Sequence, residues 1–109
     1  MATFFRNSVQ QSVGIAPVTL VQTGPNNSYT IIGLNVANVC QSLVEVSITF
    51  TDSAGVTGYF LKSVQIPPNT SLKAITNGEK LVISSNCTAT ISSNVPNSVD
   101  VVVSFVEIV

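Results

Sequence analysis

The chain predicts an all-β fold: a single antiparallel β-sandwich, jelly-roll-like or Ig-like, of about eight short strands with an N-terminal arm. Three observations carry that expectation. Apolar residues alternate with Ser, Thr and Asn at a period of two, clusters of Gly, Pro, Asn and Asp interrupt the alternation at close intervals, and no segment keeps a helical period. At 109 residues and 45% apolar composition the chain suits one domain with one core. We divide it into an arm over residues 1–12 and a sandwich over residues 13–109.

The arm lacks alternation and opens with Phe4-Phe5-Arg6. Two adjacent aromatics in an otherwise polar segment read either as an anchor for an apolar pocket, in this subunit or a neighbour, or as a frayed terminus laid on the sandwich end. Residues 13–23 read as the first strand, where Pro17 favours an edge or a strand start. Across residues 30–40, Ile32, Leu34, Val36 and Cys40 share one face, while Gly33, Asn35 and Ala37 leave the other small enough for a close neighbour. The alternation is clearest in Leu43-Val44-Glu45-Val46-Ser47-Ile48-Thr49-Phe50, with Val44, Val46, Ile48 and Phe50 inward and Glu45, Ser47 and Thr49 outward. Residues 58–64, 71–76, 80–84 and 88–92 follow as short strands.

Turn chemistry separates these segments: Gly24-Pro25-Asn26-Asn27, Asp52-Ser53-Ala54-Gly55, Pro67-Pro68-Asn69 and Asn94-Val95-Pro96-Asn97. Asn77-Gly78 suits a type I′ turn, which needs φ > 0 at both central residues, and predicts a tight hairpin joining residues 72–76 to 80–83. In the final strand, residues 98–109, Val99, Val101, Val103 and Phe105 fill one face and Val102, Val106 and Ile108 lie on the other. Either this strand is buried on both sides within the domain, or its second face packs on another subunit, since a two-layer sandwich ordinarily leaves its outer faces wet.

Composition limits the chemistry. Only 8% of residues are charged, against about 25% in an ordinary soluble domain. Either Ser, Thr, Asn and Gln keep the surface soluble or neighbouring subunits cover part of it. A net charge of −1 offers no basic footprint for nucleic acid. No stretch approaches the ~20 apolar residues that cross a bilayer, and MATFFRNSVQQSVG lacks the apolar run of a secretory signal. Cys40 and Cys87 are therefore expected reduced rather than bridged.

Histidine is absent, and Glu45, Asp52, Glu79, Asp100 and Glu107 each have an ordinary place on a strand face, in a turn or near the terminus. No base stands ready to activate a nucleophile, so no catalytic residue is assigned. Two separated cysteines do not make a zinc site, one acid in the Asp52 turn does not make a calcium site, and the glycines match no phosphate-binding fingerprint. No metal or cofactor is expected.

The order of the segments carries a resemblance. Phe4-Phe5-Arg6 is followed by Ile32-Gly33-Leu34-Asn35-Val36-Ala37-Asn38, Gly58-Tyr59-Phe60-Leu61-Lys62 and Ile66-Pro67-Pro68-Asn69-Thr70-Ser71-Leu72. Asn77-Gly78-Glu79-Lys80-Leu81-Val82-Ile83 and Ser98-Val99-Asp100-Val101-Val102-Val103-Ser104-Phe105-Val106-Glu107-Ile108 close the series. Over nearly its whole length the chain resembles small β-rich virion structural proteins of tailed bacteriophages, of the cyanophage and aquatic phage type. The resemblance implies a non-enzymatic part of the particle, assembled in the host cytoplasm and present in many copies or a symmetric ring. The role it favours is a capsid decoration or cement protein on the outer surface, a homo-oligomer (a trimer suits local threefold positions) bound between subunits of the major capsid protein. A neck, tail or baseplate component with other virion proteins as partners is the alternative. Phe4, Phe5, Arg6, Tyr59, Val102, Val106 and Ile108 are the expected protein-interface residues. A third reading, a carbohydrate- or receptor-binding module, rests on Tyr59 beside Phe60 as an aromatic platform; against it, Tyr59 reads as an interface residue and Phe60 as core.

Overall fold

β-Branched and apolar side chains at alternate positions suit a pleated surface with one side buried, and they commit most of the chain to strands. The computed structural model describes residues 2–75 and 80–109, and among them are nine strands: β1 (Thr3–Val13), β2 (Val18–Gln22), β3 (Ser28–Asn38), β4 (Val44–Thr51), β5 (Thr57–Ile66), β6 (Ser71–Ile75), β7 (Leu81–Ile83), β8 (Thr88–Ser93) and β9 (Val99–Ile108). They form two antiparallel sheets. Sheet A runs β1-β9-β3-β6 with β7 also on β3, and sheet B runs β2-β8-β4-β5.

β6 and β7 lie end to end along β3: Leu72 pairs with Val36 and Ile75 with Leu34, then Leu81 pairs with Ile31 and Ile83 with Tyr29. Together they fill one strand position, so each sheet is four positions wide. The order 1-9-3-6 against 2-8-4-5 is that of a jelly roll. It is not Ig-like, because the first and last strands pair within one sheet, whereas the ABED/CFG arrangement puts them in opposite sheets. The Asn77-Gly78 turn lies outside the described residues. The strands expected to flank it as a hairpin pair with β3 rather than with each other.

Three other expectations change. Residues 3–12, which fall in the segment read as an unpatterned arm, belong to β1 and pair along the length of β9. The strand expected over residues 13–23 divides into the end of β1 and all of β2, in different sheets. Gly14 sits at the crossing, where a Cβ would come within 3.0 Å of the Asn97 backbone N and 3.1 Å of Pro96 Cα. In β3 a bulge between Ile31 and Gly33 shifts the register against β9. One extra residue reverses the side-chain phase, so Ile31, Leu34 and Val36 point inward and Ile32 points out.

The core lies between the sheets, with Val36, Leu34, Val101, Val103 and Phe105 from A against Val44, Val46, Ile48, Ala89 and Ile91 from B. Cys87 is a buried free thiol within it, and Cys40 is a half-buried free thiol after β3. Buried polar side chains fasten the loops at its ends. Asn38 Nδ2 donates to the carbonyls of Ser42 and Ile66, each at 2.9 Å, and its Oδ1 accepts from Cys40 N–H at 3.0 Å. Thr23 Oγ1 donates to Ser84 O at 2.6 Å and accepts from Cys87 N–H at 2.9 Å. In the first hairpin of sheet B, Asp52 opens the turn as expected, with Oδ1 accepting the N–H groups of Ala54 and Val56.

Candidate functional site

The two outer faces of the sandwich differ in kind. Sheet B turns Glu45, Ser47, Thr49 and Thr51 of β4 and Thr88, Thr90 and Ser92 of β8 outward, the polar half of its alternation. Thr49 Oγ1 and Thr90 Oγ1 are 2.6 Å apart across that face. Sheet A turns apolar side chains to the solvent: Phe5 is 82% exposed, Val9 63%, Val82 61%, Val102 42% and Ile32 40%. Val106 and Ile108 lie half-buried among them.

Register places these residues together. Phe5 of β1 pairs with Val106 of β9, which pairs with Thr30 of β3, which pairs with Val82 of β7. A second row runs Val9, Val102, Asn35 and Lys73. Between the rows Gly33 and Ser104 leave a shallow depression beside Ile32. Beneath it the Asn35 Oδ1 atom is buried with no hydrogen-bond partner among the described residues.

Four of the seven residues expected from the sequence, Phe5, Val102, Val106 and Ile108, therefore share this face. Phe4 and Arg6 point to the other side of β1, at the end of the sandwich. There the Arg6 guanidinium carbon lies 5.1 Å from the Phe4 ring centroid, and Arg6 Nε donates to Glu107 Oε1 at 2.6 Å. Asn27 Nδ2 donates to Glu107 Oε2 at 3.0 Å. That hydrogen bond, then the one from Arg6, holds the Glu107 carboxyl below its ordinary pKa. Tyr59 stands apart on β5 in sheet B, exposed, with Lys62 Nζ 5.0 Å from its ring centroid. The ammonium covers one face of the only ring proposed as a sugar platform.

The sequence reading missed Val9, Ile32 and Val82. Val9 belongs to the segment read as an arm, the alternation that sets Ile32 on one face with Leu34 and Val36 is reversed by the bulge, and Val82 is the middle of a three-residue strand. The adjacent Ile31-Ile32 pair was the available signal for Ile32, because two neighbouring apolar residues in a strand cannot both face one side.

Sheet A also has a free edge. Ala2 and Val109 exchange both backbone hydrogen bonds, at 3.1 and 2.9 Å. In an antiparallel ladder the exchanging pairs alternate, so Phe4, Arg6, Ser8 and Gln10 bond to β9, and Thr3, Phe5, Asn7 and Val9 turn their N–H and C=O groups away from it.

Among the described residues, no three His, Cys, Asp or Glu side chains gather where they could hold a metal ion, and no helix is long and apolar enough to cross a membrane.

No family model matches the chain, and no curated protein matches it in sequence. Among solved structures it is similar to a protein of Bacillus endospore appendages, described as a family of disulfide-linked pili, with a TM-score of 0.59 and 8% identity over 96% of this chain and 86% of that one. At that identity the likeness is one of fold. Weaker superpositions, each with a TM-score of 0.48, match two infectious bursal disease virus chains. One is from the Gt strain, with 12% identity over 98% of this chain; the other is from the T13 particle, with 11% identity over 96%. The chain spans 30% and 35% of their respective lengths.

Proposed function

We propose that this protein is a non-enzymatic structural subunit that works by burying the outer face of sheet A against other protein. The observation that carries the reading is the contrast between the two outer faces. A sandwich free in solution needs both faces wet, yet while the face of sheet B is mostly Ser and Thr with Tyr59 among them, that of sheet A exposes Phe5, Val9, Ile32, Val82, Val102 and Val106 between Asn7, Thr30, Asn35, Lys73 and Ser104. Burial of that apolar surface would supply affinity at about 25 cal/mol per Å². The jelly roll itself does not select a task, since capsid proteins, lectins and cupins share it.

Within this reading the chain is a capsid decoration or cement protein of a tailed phage, seated on the outer surface of the head between subunits of the major capsid protein. The resemblance in the order of its segments supports the particle, and low charge with one apolar face supports attachment to a protein lattice. The test is the copy number of this chain in purified virions, measured by quantitative mass spectrometry against the major capsid protein. A count comparable with the capsid protein is expected. A small fraction would move the protein to the neck, tail or baseplate, and its absence from the particle would overturn the virion assignment.

A further inference from the structure

We infer that two copies of this chain join through the free edge of β1, strand against strand across a two-fold axis at Asn7. The inference rests on the reading of sheet A as an interaction surface and is independent of the virion assignment. Edge strands of soluble proteins are ordinarily blunted by Pro, Lys, bulges or a covering segment. β1 has no Pro and no Lys. Its register with β9 is regular from Thr3 to Gln10, and its irregularity is confined to Gln10–Val13. Its one charge, Arg6, projects from the face opposite Phe5 and is paired with Glu107. The outward N–H and C=O groups of Thr3, Phe5, Asn7 and Val9 have no partner among the described residues.

Self-pairing must set these outward residues opposite one another, which leaves few registers. Centring on Arg6 opposes two guanidinium groups, and like charges directly across a pair are unfavourable. Centring on Ser8 opposes Val9 to Asn7 and Phe5 to Gln11, apolar against polar. Centring on Phe5 opposes the two Phe5 rings and Thr3 to Asn7, and leaves Val9 without an apolar partner among the described residues. Centring on Asn7 opposes Phe5 to Val9 of the second copy, the two most exposed apolar side chains of this strand, and sets Arg6 opposite Ser8. That register forms about six backbone hydrogen bonds between the copies.

The contact would run about 30 Å along Thr3 to Gln11 at about 3.3 Å per residue. With a sandwich 20 Å deep, it buries up to roughly 600 Å² per partner, near the lower end for specific interfaces. Because the axis is perpendicular to the sheet, both copies of sheet A merge into one continuous sheet. Their apolar outer faces then lie side by side and double the surface offered to a third protein. The pairing is isologous and yields a dimer in place of the threefold ring that the resemblance suggests.

The experiment is the mass of the purified full-length chain by sedimentation equilibrium across a concentration series, with circular dichroism to verify folding. A dimer of the 11.4 kDa chain is expected. Asn7→Pro removes an outward N–H that β9 does not use, so it should abolish the dimer and leave the far-UV spectrum unchanged. Phe5→Lys alone and Val9→Glu alone should each weaken dimerisation about tenfold. The double variant Phe5→Lys/Val9→Glu, which places opposite charges across both symmetry-related pairs, should restore it. A wild-type monomer at all concentrations, a dimer or trimer indifferent to a folded Asn7→Pro, or a double variant no better than the singles would each overturn the assignment. Retained dimerisation with loss of the protein from virions would instead count against the capsid role.

Discussion

Arg6 and Glu107 tie the first strand to the last, Nε to Oε1 at 2.6 Å, and Asn27 donates to the other carboxylate oxygen at 3.0 Å. Three segments distant in sequence thus meet at one carboxylate at the end of sheet A. The residue marked in the sequence only as a charge near the terminus is a junction of the fold.

That junction makes stability depend on pH in a definite direction. The hydrogen bonds from Asn27 and Arg6 lower the folded-state pKa of Glu107 relative to its unfolded value of about 4.3. The unfolded chain therefore binds the proton first, and stability from this group, complete above that value, is lost as pH falls through the folded pKa. Urea midpoints measured at successive pH values should drop more steeply on the acid side for the native protein than for Glu107→Gln. Added salt should trim only the part due to Arg6, which is half exposed, and leave the larger part due to the Asn27 hydrogen bond.

Neighbouring residues of β9 should respond in opposite ways to the same change. Val103 is 1% exposed between the sheets, so Val103→Asp buries an unpaired charge and should cost more than about 4 kcal/mol, enough to prevent folding. Val102 is on the outer face, and Val102→Asp should alter stability by only about 0.5 kcal/mol while weakening attachment to partner protein. Thermal melts and particle-binding assays on the pair check both halves.

Asn38 is a polar core residue whose loss should be severe. Asn38→Ala strands the Ser42 and Ile66 carbonyls and the Cys40 N–H, and each buried group left without a partner costs about 1–3 kcal/mol. Urea denaturation should report a loss of about 2–5 kcal/mol, since water will reach some of these groups.

Removal of residues 1–12 should harm the fold, which a dispensable arm would not. Those residues form nearly all of β1, and without them β9 becomes an apolar edge strand with an unpaired ladder. The truncated chain should melt lower and aggregate, measurable by light scattering during a thermal ramp.

The sequence by itself determined the all-β class, most of the strands after residue 13, the inward faces of residues 44–50 and 99–105, and the shared second face of Val102, Val106 and Ile108 in the last strand. These properties are legible because side-chain alternation is local: two residues along a strand always share a face. Only the tertiary structure decided that Ile32 faces outward, that residues 3–13 are a strand, that β6 and β7 share one position on β3, and that Tyr59 lies away from the apolar face. Each of these depends on a pairing partner far along the chain. A one-residue bulge or the choice of neighbouring strand alters the register, and with it every facing that follows, and leaves little mark in the local pattern beyond a break in alternation such as Ile31-Ile32.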